Sequence, residues 1–219
     1  MTRRLHCFCQ SGNSFKAAFA LRAMGLPYES VLVDFMHGQT RDPAWRAEVN
    51  EMGEAPVLDD GPLRLTQSGV ILTHLARMSG KFGGRDEREQ REILRWLLFD
   101  NHKFTSYFAT YRFMKSFGPS APDPAVMAFL RTRIDSAHAI VDRHLATQPF
   151  LLGEQPTIAD ISLSGYVFYP VEESGIDIAA TYPNLGAWIG RLRQLDGWGD
   201  PYDVMPGERI APRWSTASA

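Results

Sequence analysis

Residues 7 to 16 read CFCQSGNSFK and bring together two thiols, Cys7 and Cys9, and two hydroxyls, Ser11 and Ser14. An ionised thiol is a nucleophile and a metal ligand, whereas a hydroxyl can attack or can donate a hydrogen bond to an anion. The hydroxyls fall at what reads as a helix start, where unpaired amides and the helix dipole favour negative charge. Cys7 and Cys9 are the only cysteines. Two positions apart on a strand they share one face and cannot readily bridge, so a disulfide scaffold is excluded. Neither belongs to a CxxC pair, and buried structural roles are expected for both. The histidines His6, His37, His74, His102, His138 and His144 show no HExxH or Cys/His ligand spacing, so no dedicated metal site is expected.

The elements that must hold this stretch are set by periodicity. Leu5 to Cys9 is a short apolar run that reads as a strand. SFKAAFALRAM, 14–24, repeats Phe15, Ala18, Phe19 and Leu21 at helical period and stops at Gly25. SVLVDF reads as a second strand, and strand, helix, strand at this spacing predicts a right-handed parallel βαβ unit. A short helix is expected between Asp42 and Asn50, two strands around Asp59-Asp60-Gly61, and a helix from Ser68. The glycine-rich SGKFGGR, 79–85, is a linker.

Beyond it the pattern turns helical, with spans expected from Asp86 to Phe117, Asp123 to Leu145, Thr157 onward and Pro183 to Leu195. RDEREQRE intersperses both signs of charge and reads as a solvated helix face. The tail from Trp198 carries Pro201, Pro206 and Pro212 and ends in STASA, an irregular strap with a frayed end. The fold class is thus an α/β N-terminal domain, 1–79, followed by an all-α domain, 85–219.

Composition narrows the partners. The 219 residues carry 23 basic and 25 acidic side chains, for a formal net charge of -2, and 44% are hydrophobic. That balance offers no electrostatic footprint for nucleic acid or anionic lipid. No apolar run reaches the roughly 20 residues of a membrane span, and MTRRLHCFCQ lacks a secretory leader's apolar core. A cytoplasmic location is expected.

Four strings in order give the chain a resemblance to the cytosolic glutathione transferases over nearly its full length: SGNSFKAAFALRAMGLPYE, EAPVL, LTQSGVILTHLA and LLGEQPTIADISL. The resemblance implies a thioredoxin-like first domain, an all-helical second domain and a two-fold homodimer, with glutathione as co-substrate and no metal. It implies a cis bond before Pro56, which turns the Ala55 backbone toward an extended peptide ligand. It places the γ-glutamyl carboxylate of glutathione at Gln67-Ser68 and counts Asn13 among the glutathione contacts. Read without the resemblance, Pro56 is an edge breaker and Ser68 an N-cap. Gln67 stands where the family more often has an acid, so weaker charge pairing is expected at that corner.

Ser11 takes the position of the catalytic serine in the serine-type classes, with Asn13 or Ser14 expected to cap the helix and leave the Ser11 hydroxyl free. Phe104, Tyr107, Phe108 and Tyr111 form an aromatic stripe of the kind that packs a core. The resemblance favours His102, Tyr107 and Tyr111 as the electrophile pocket. Thr157 and Asp160 have the spacing of a capping box, a structural motif. The activity implied is addition of glutathione thiolate to a hydrophobic electrophile. Glutathione-dependent reduction of peroxides or disulfides, and binding without catalysis, stand as alternatives.

Overall fold

In the computed structural model, residues 2–214 are described; the STASA end lies outside them. The first unit runs β1 (Arg3–Cys7), α1 (Gly12–Ala23), β2 (Tyr28–Leu32), α2 (Pro43–Glu48), β3 (Val57–Asp60), β4 (Leu63–Thr66) and α3 (Ser68–Ser79). Its four strands form one sheet in the order β2-β1-β3-β4. β1 pairs parallel with β2 and antiparallel with β3, so Leu5 faces Ser30 on one side and Leu58 on the other. This is the thioredoxin-like arrangement that the resemblance implies. β1 ends at Cys7, however, and Cys9 lies in the turn beyond it.

The second unit is helical: α4 (Glu87–Phe99), α5 (Thr105–Ser116), α6 (Pro124–His144), α7 (Ile158–Leu163), α8 (Val171–Ser174), α9 (Ile178–Thr181), α10 (Pro183–Leu192) and α11 (Pro201–Val204). Aspartates start many of the helices in both units. Asp42, Asp86, Asp123, Asp177 and Asp200 each accept an amide hydrogen bond at a helix N-terminus, which satisfies donors that the helix itself cannot. The expected capping box is present, with Thr157 accepting from Ala159 and Asp160 accepting from the Thr157 amide at 2.8 Å. Asp160 also accepts from Trp188 Nε1 and the Leu151 amide, both at 2.9 Å, and so ties α7, α10 and the preceding loop together.

Two departures from the sequence pattern matter for the site. The span predicted as one helix from Asp86 to Phe117 is broken by a π-helical segment, Asp100–Phe104. Such a segment inserts a residue into the helical repeat and rotates the helix beyond it. The second is α1, whose residues are buried from Ser14 to Leu21, on every side. It is wedged between the sheet on one side and α3, α7 and the Ser164–Tyr166 turn on the other. Phe15 and Phe19 pack edge-on against Phe168 of the helical unit.

That wedge buries Lys16 completely. Its Nζ donates to Asp100 Oδ2 at 2.6 Å and to Thr105 Oγ1 at 3.1 Å, while Thr105 Oγ1 and Ser162 Oγ each donate to the same carboxylate at 2.6 Å. His138 is buried among Phe104, Phe108 and Tyr182, and its imidazole pKa is held down at about 4 by desolvation. It stays neutral and packs as an aromatic ring.

Candidate functional site

Two adjoining cavities meet at the N-terminus of α1. One, of about 420 Å³, is lined by Ser11, Asn13, Glu54, Ala55, Pro56, Gln67, Ser68, Asn101 and Ser106. The other, of about 260 Å³, is lined by Gln10, Met36, Ala109, Thr110, Arg112, Phe113 and Phe117. Phe8, Ser11, Phe35 and Tyr166 belong to both. Ser11 thus stands where a polar trough opens into an aromatic one.

Ser11 is itself the N-cap of α1, its Oγ accepting from the Ser14 amide at 3.1 Å. This corrects the expectation that Asn13 or Ser14 caps the helix. The cap occupies a lone pair of Oγ and leaves its proton free to donate. Asn13 Oδ1 is buried and has no hydrogen-bond partner among the described residues, an acceptor awaiting a donor.

Across the trough the Ala55–Pro56 bond is cis. α3 begins with Gln67 in the cap position, with a positive φ of 65°, and no side chain caps the helix. Ser68 is therefore the first helical residue, not the cap, and the first amides of α3 open on the cavity. Gln67 Nε2 donates to Glu54 Oε2 at 2.7 Å, which draws a carboxylate to the corner where the sequence supplies only an amide. Glu54 directly precedes Ala55-Pro56, so its place is readable once that turn is recognised.

The aromatic cavity differs from expectation. His102 is exposed, and Tyr107 and Tyr111 pack against the helical core; none of the three lines the cavity beside Ser11. On α5 it is Ser106, Ala109, Thr110 and Phe113, with Phe117 just past its end, that face the two cavities, the opposite stripe from Phe108 and Tyr111. Phe8 and Phe35 stack at 4.8 Å and Phe35 meets Phe113 edge-on at 6.3 Å, giving the cavity a continuous aromatic wall. Behind it Arg112 donates to Glu173 Oε2 at 2.7 Å, to the Gln10 carbonyl at 2.8 Å and to the Tyr202 hydroxyl at 3.1 Å.

Both thiols are shut away. Burial pushes the Cys7 thiol up to about 12, and Cys9 is also raised, with desolvation the largest cause. The C-terminal tail closes over Cys9: the Cys9 amide donates to the Pro206 carbonyl at 2.9 Å and its thiol points to the Glu208 carbonyl at 3.6 Å. The described part of the tail includes the short α11 and then packs over the thiol.

The family model for the N-terminal domain of glutathione S-transferases matches residues 2–77, and that for the C-terminal domain matches residues 124–191. A glutathione S-transferase structure from Xanthobacter autotrophicus Py2 superposes with a TM-score of 0.83 at 31% identity, covering 92% of this chain and 98% of that one. The chain belongs to the glutathione transferase superfamily. Among curated relatives, a maleylacetoacetate isomerase of Rhizobium meliloti is 30% identical over 89% of this chain and 92% of its own length. The disulfide-bond oxidoreductase YfcG of Escherichia coli is 27% identical over 88% and 91%. Glutathione transferase relatives thus span several named activities, and the choice among them turns on the site. No helix among the described residues is long and apolar enough to cross a membrane.

Proposed function

We propose that this chain binds glutathione in the polar trough and adds its thiolate to a hydrophobic electrophile held in the aromatic cavity, a detoxifying conjugation. The observation that carries the reading is the junction at Ser11, one hydroxyl shared by a peptide-sized polar cavity and an apolar one. In this reading the γ-glutamyl carboxylate meets the open amides of α3 at Ser68, and the ammonium meets Glu54 and Gln67. The cysteinyl backbone runs along Ala55 as an added strand does, and Asn13 Oδ1 takes a donor from the ligand. The sulfur then lies at Ser11, whose O–H donates to it.

Reduction through a protein thiol is the weaker reading. A thiolate nucleophile needs a lowered pKa and access, and Cys9 has neither.

Calorimetry is expected to show one glutathione site per chain, with affinity unchanged by a chelator and weakened by Glu54→Gln, which removes the charge opposite the ammonium. No heat at millimolar glutathione would remove the reading. A panel of electrophiles, hydroperoxides and mixed disulfides then separates the activities; binding without turnover on any of them would leave a binding protein.

The same reading includes a two-fold dimer of this chain. Val70, Leu94 and Leu98 are 52%, 54% and 63% exposed and line one cavity with Ser68 and Asn101, so a second copy seated there would bury apolar surface beside the trough. An interface of more than about 1,000 Å² is expected. Light scattering should give twice the chain mass; a stable monomer at micromolar concentration would reject the dimer.

A further inference from the structure

Ser11 is a limited donor: it has one proton, and its oxygen already serves the α1 cap. A sulfur anion accepts several hydrogen bonds, so what else faces that position decides how well a thiolate is held there.

Tyr166 comes to it from the helical unit. Its ring closes both cavities beside Ser11, and its hydroxyl faces the Ser11 side chain and the amides of Gly12 and Asn13. Two glycines bring it there. A methyl group at Gly12 would stand 2.4 Å from both the Gly165 carbonyl oxygen and Tyr166 Cδ2, and 2.5 Å from Cε2. A methyl group at Gly165 would meet Lys16 Cε at 2.4 Å and the Gly12 carbonyl oxygen at 2.8 Å. A side chain at Gly12 would displace the tyrosine ring, and one at Gly165 would force its turn away from α1. Arg112 lies 5.8 Å over the Tyr166 ring, and Tyr169 packs at 5.9 Å on it. The ring is therefore fixed from both sides.

Resting on the proposed glutathione reading, we propose that Tyr166 is a second catalytic hydroxyl, donating to the glutathione sulfur alongside Ser11. Burial raises its pKa against the opposing pull of Arg112 and the two amides, so the phenol keeps its proton and remains a donor. No proton leaves Tyr166 in the reaction: the glutathione thiol proton passes to water, a sulfur lone pair forms the new S–C bond as the electrophile's π bond opens or its leaving group departs with an electron pair, and the donated hydrogen bond holds the thiolate until then.

Tyr166→Phe tests this because it deletes the hydroxyl and keeps the ring. The pKa of bound glutathione, read from the ultraviolet absorbance of its thiolate across pH, should rise in the variant, and kcat/KM should fall about tenfold at neutral pH. Calorimetric affinity measured well below the thiol pKa should stay within about twofold, since the peptide contacts are untouched. An unchanged thiolate titration would overturn the assignment, even if the rate fell, because the tyrosine would then act only through packing or on the electrophile. If wild-type protein binds no glutathione, the underlying reading fails and the proposal with it; if wild type binds and titrates normally and the variant matches it, Tyr166 alone is excluded.

Discussion

Ser11→Ala is expected to lower turnover about ten- to a hundredfold while glutathione affinity changes far less. A free thiol titrates near 8.5, and lowering that by about two units takes roughly 2.7 kcal/mol of preference for the anion. A hydroxyl donating to a charged acceptor supplies about 1.5 to 3 kcal/mol, and a helix N-terminus adds roughly 0.3 to 1. The contacts proposed for the peptide at Ala55, Gln67 and Ser68 lie elsewhere in the trough and should survive the substitution. Turnover therefore falls while binding holds, and the acid limb of the pH–rate profile moves upward as bound thiol replaces thiolate.

The cap adds a second consequence. Ser11 Oγ accepts from the Ser14 amide, so alanine also costs about 0.5 to 2 kcal/mol of stability. Ser11→Thr keeps both the cap and the donor and should restore most of each; recovery of stability without turnover would argue that the hydroxyl serves the helix alone. Cys9→Ser should leave conjugation nearly unchanged. If Cys9→Ser abolished activity and Ser11→Ala spared it, the conjugation mechanism would be wrong and thiol transfer through the cysteine would replace it.

The parts of this site that are legible in the sequence are those carried by local backbone chemistry. A two-residue turn, Gly61-Pro62, joins β3 to β4 where the sequence sets its hairpin, because glycine at φ 62° tolerates a left-handed bend, while Asp59 and Asp60 belong to β3 and pair with Arg64 and Leu63. Asn13, Ala55, Pro56, Gln67 and Ser68 converge on one trough because each sits at the end of a strand or the start of a helix, where sequence marks the boundary. Ser11 lies at the mouth of that trough, although the sequence points to its neighbours as the cap.

The parts that are hidden depend on long-range packing. Tyr107 and Tyr111 read as pocket residues on an uninterrupted helix, but DNHKF carries no proline or glycine to announce the π segment that re-phases α5. Tyr166 comes soon after the capping box that marks α7, yet nothing local says that its ring crosses to α1; that needs Gly12 and Gly165 face to face. Glu54 can be found from its place before the Ala55-Pro56 turn, but its pairing with the side chain of Gln67 is a tertiary contact that no local pattern announces.

Lys16 is the residue whose environment the sequence hides most completely, and Lys16→Met should cost about 3 to 5 kcal/mol of stability, seen as a lower urea midpoint at fixed protein concentration. A lysine inside a helical pattern reads as solvent-facing, because burying an unpaired ammonium costs several kcal/mol. Here its partner is Asp100, far along the chain, in the π segment that begins the face of Asn101 and Ser106. Methionine fills similar volume but leaves the buried carboxylate with only the hydroxyls of Thr105 and Ser162 as donors. Replacing both charges, as Lys16→Met with Asp100→Leu, removes the uncompensated ion and should recover more than half of the loss. Recovery of stability in the double variant need not restore function: the ion pair also registers the π segment against α1, and without it Asn101 and Ser106 lose their fixed place on the trough. The double variant is therefore expected to fold while its KM for glutathione rises; if Lys16→Met were as stable as wild type, the pair would not be what locks the helical unit to the helix that carries Ser11.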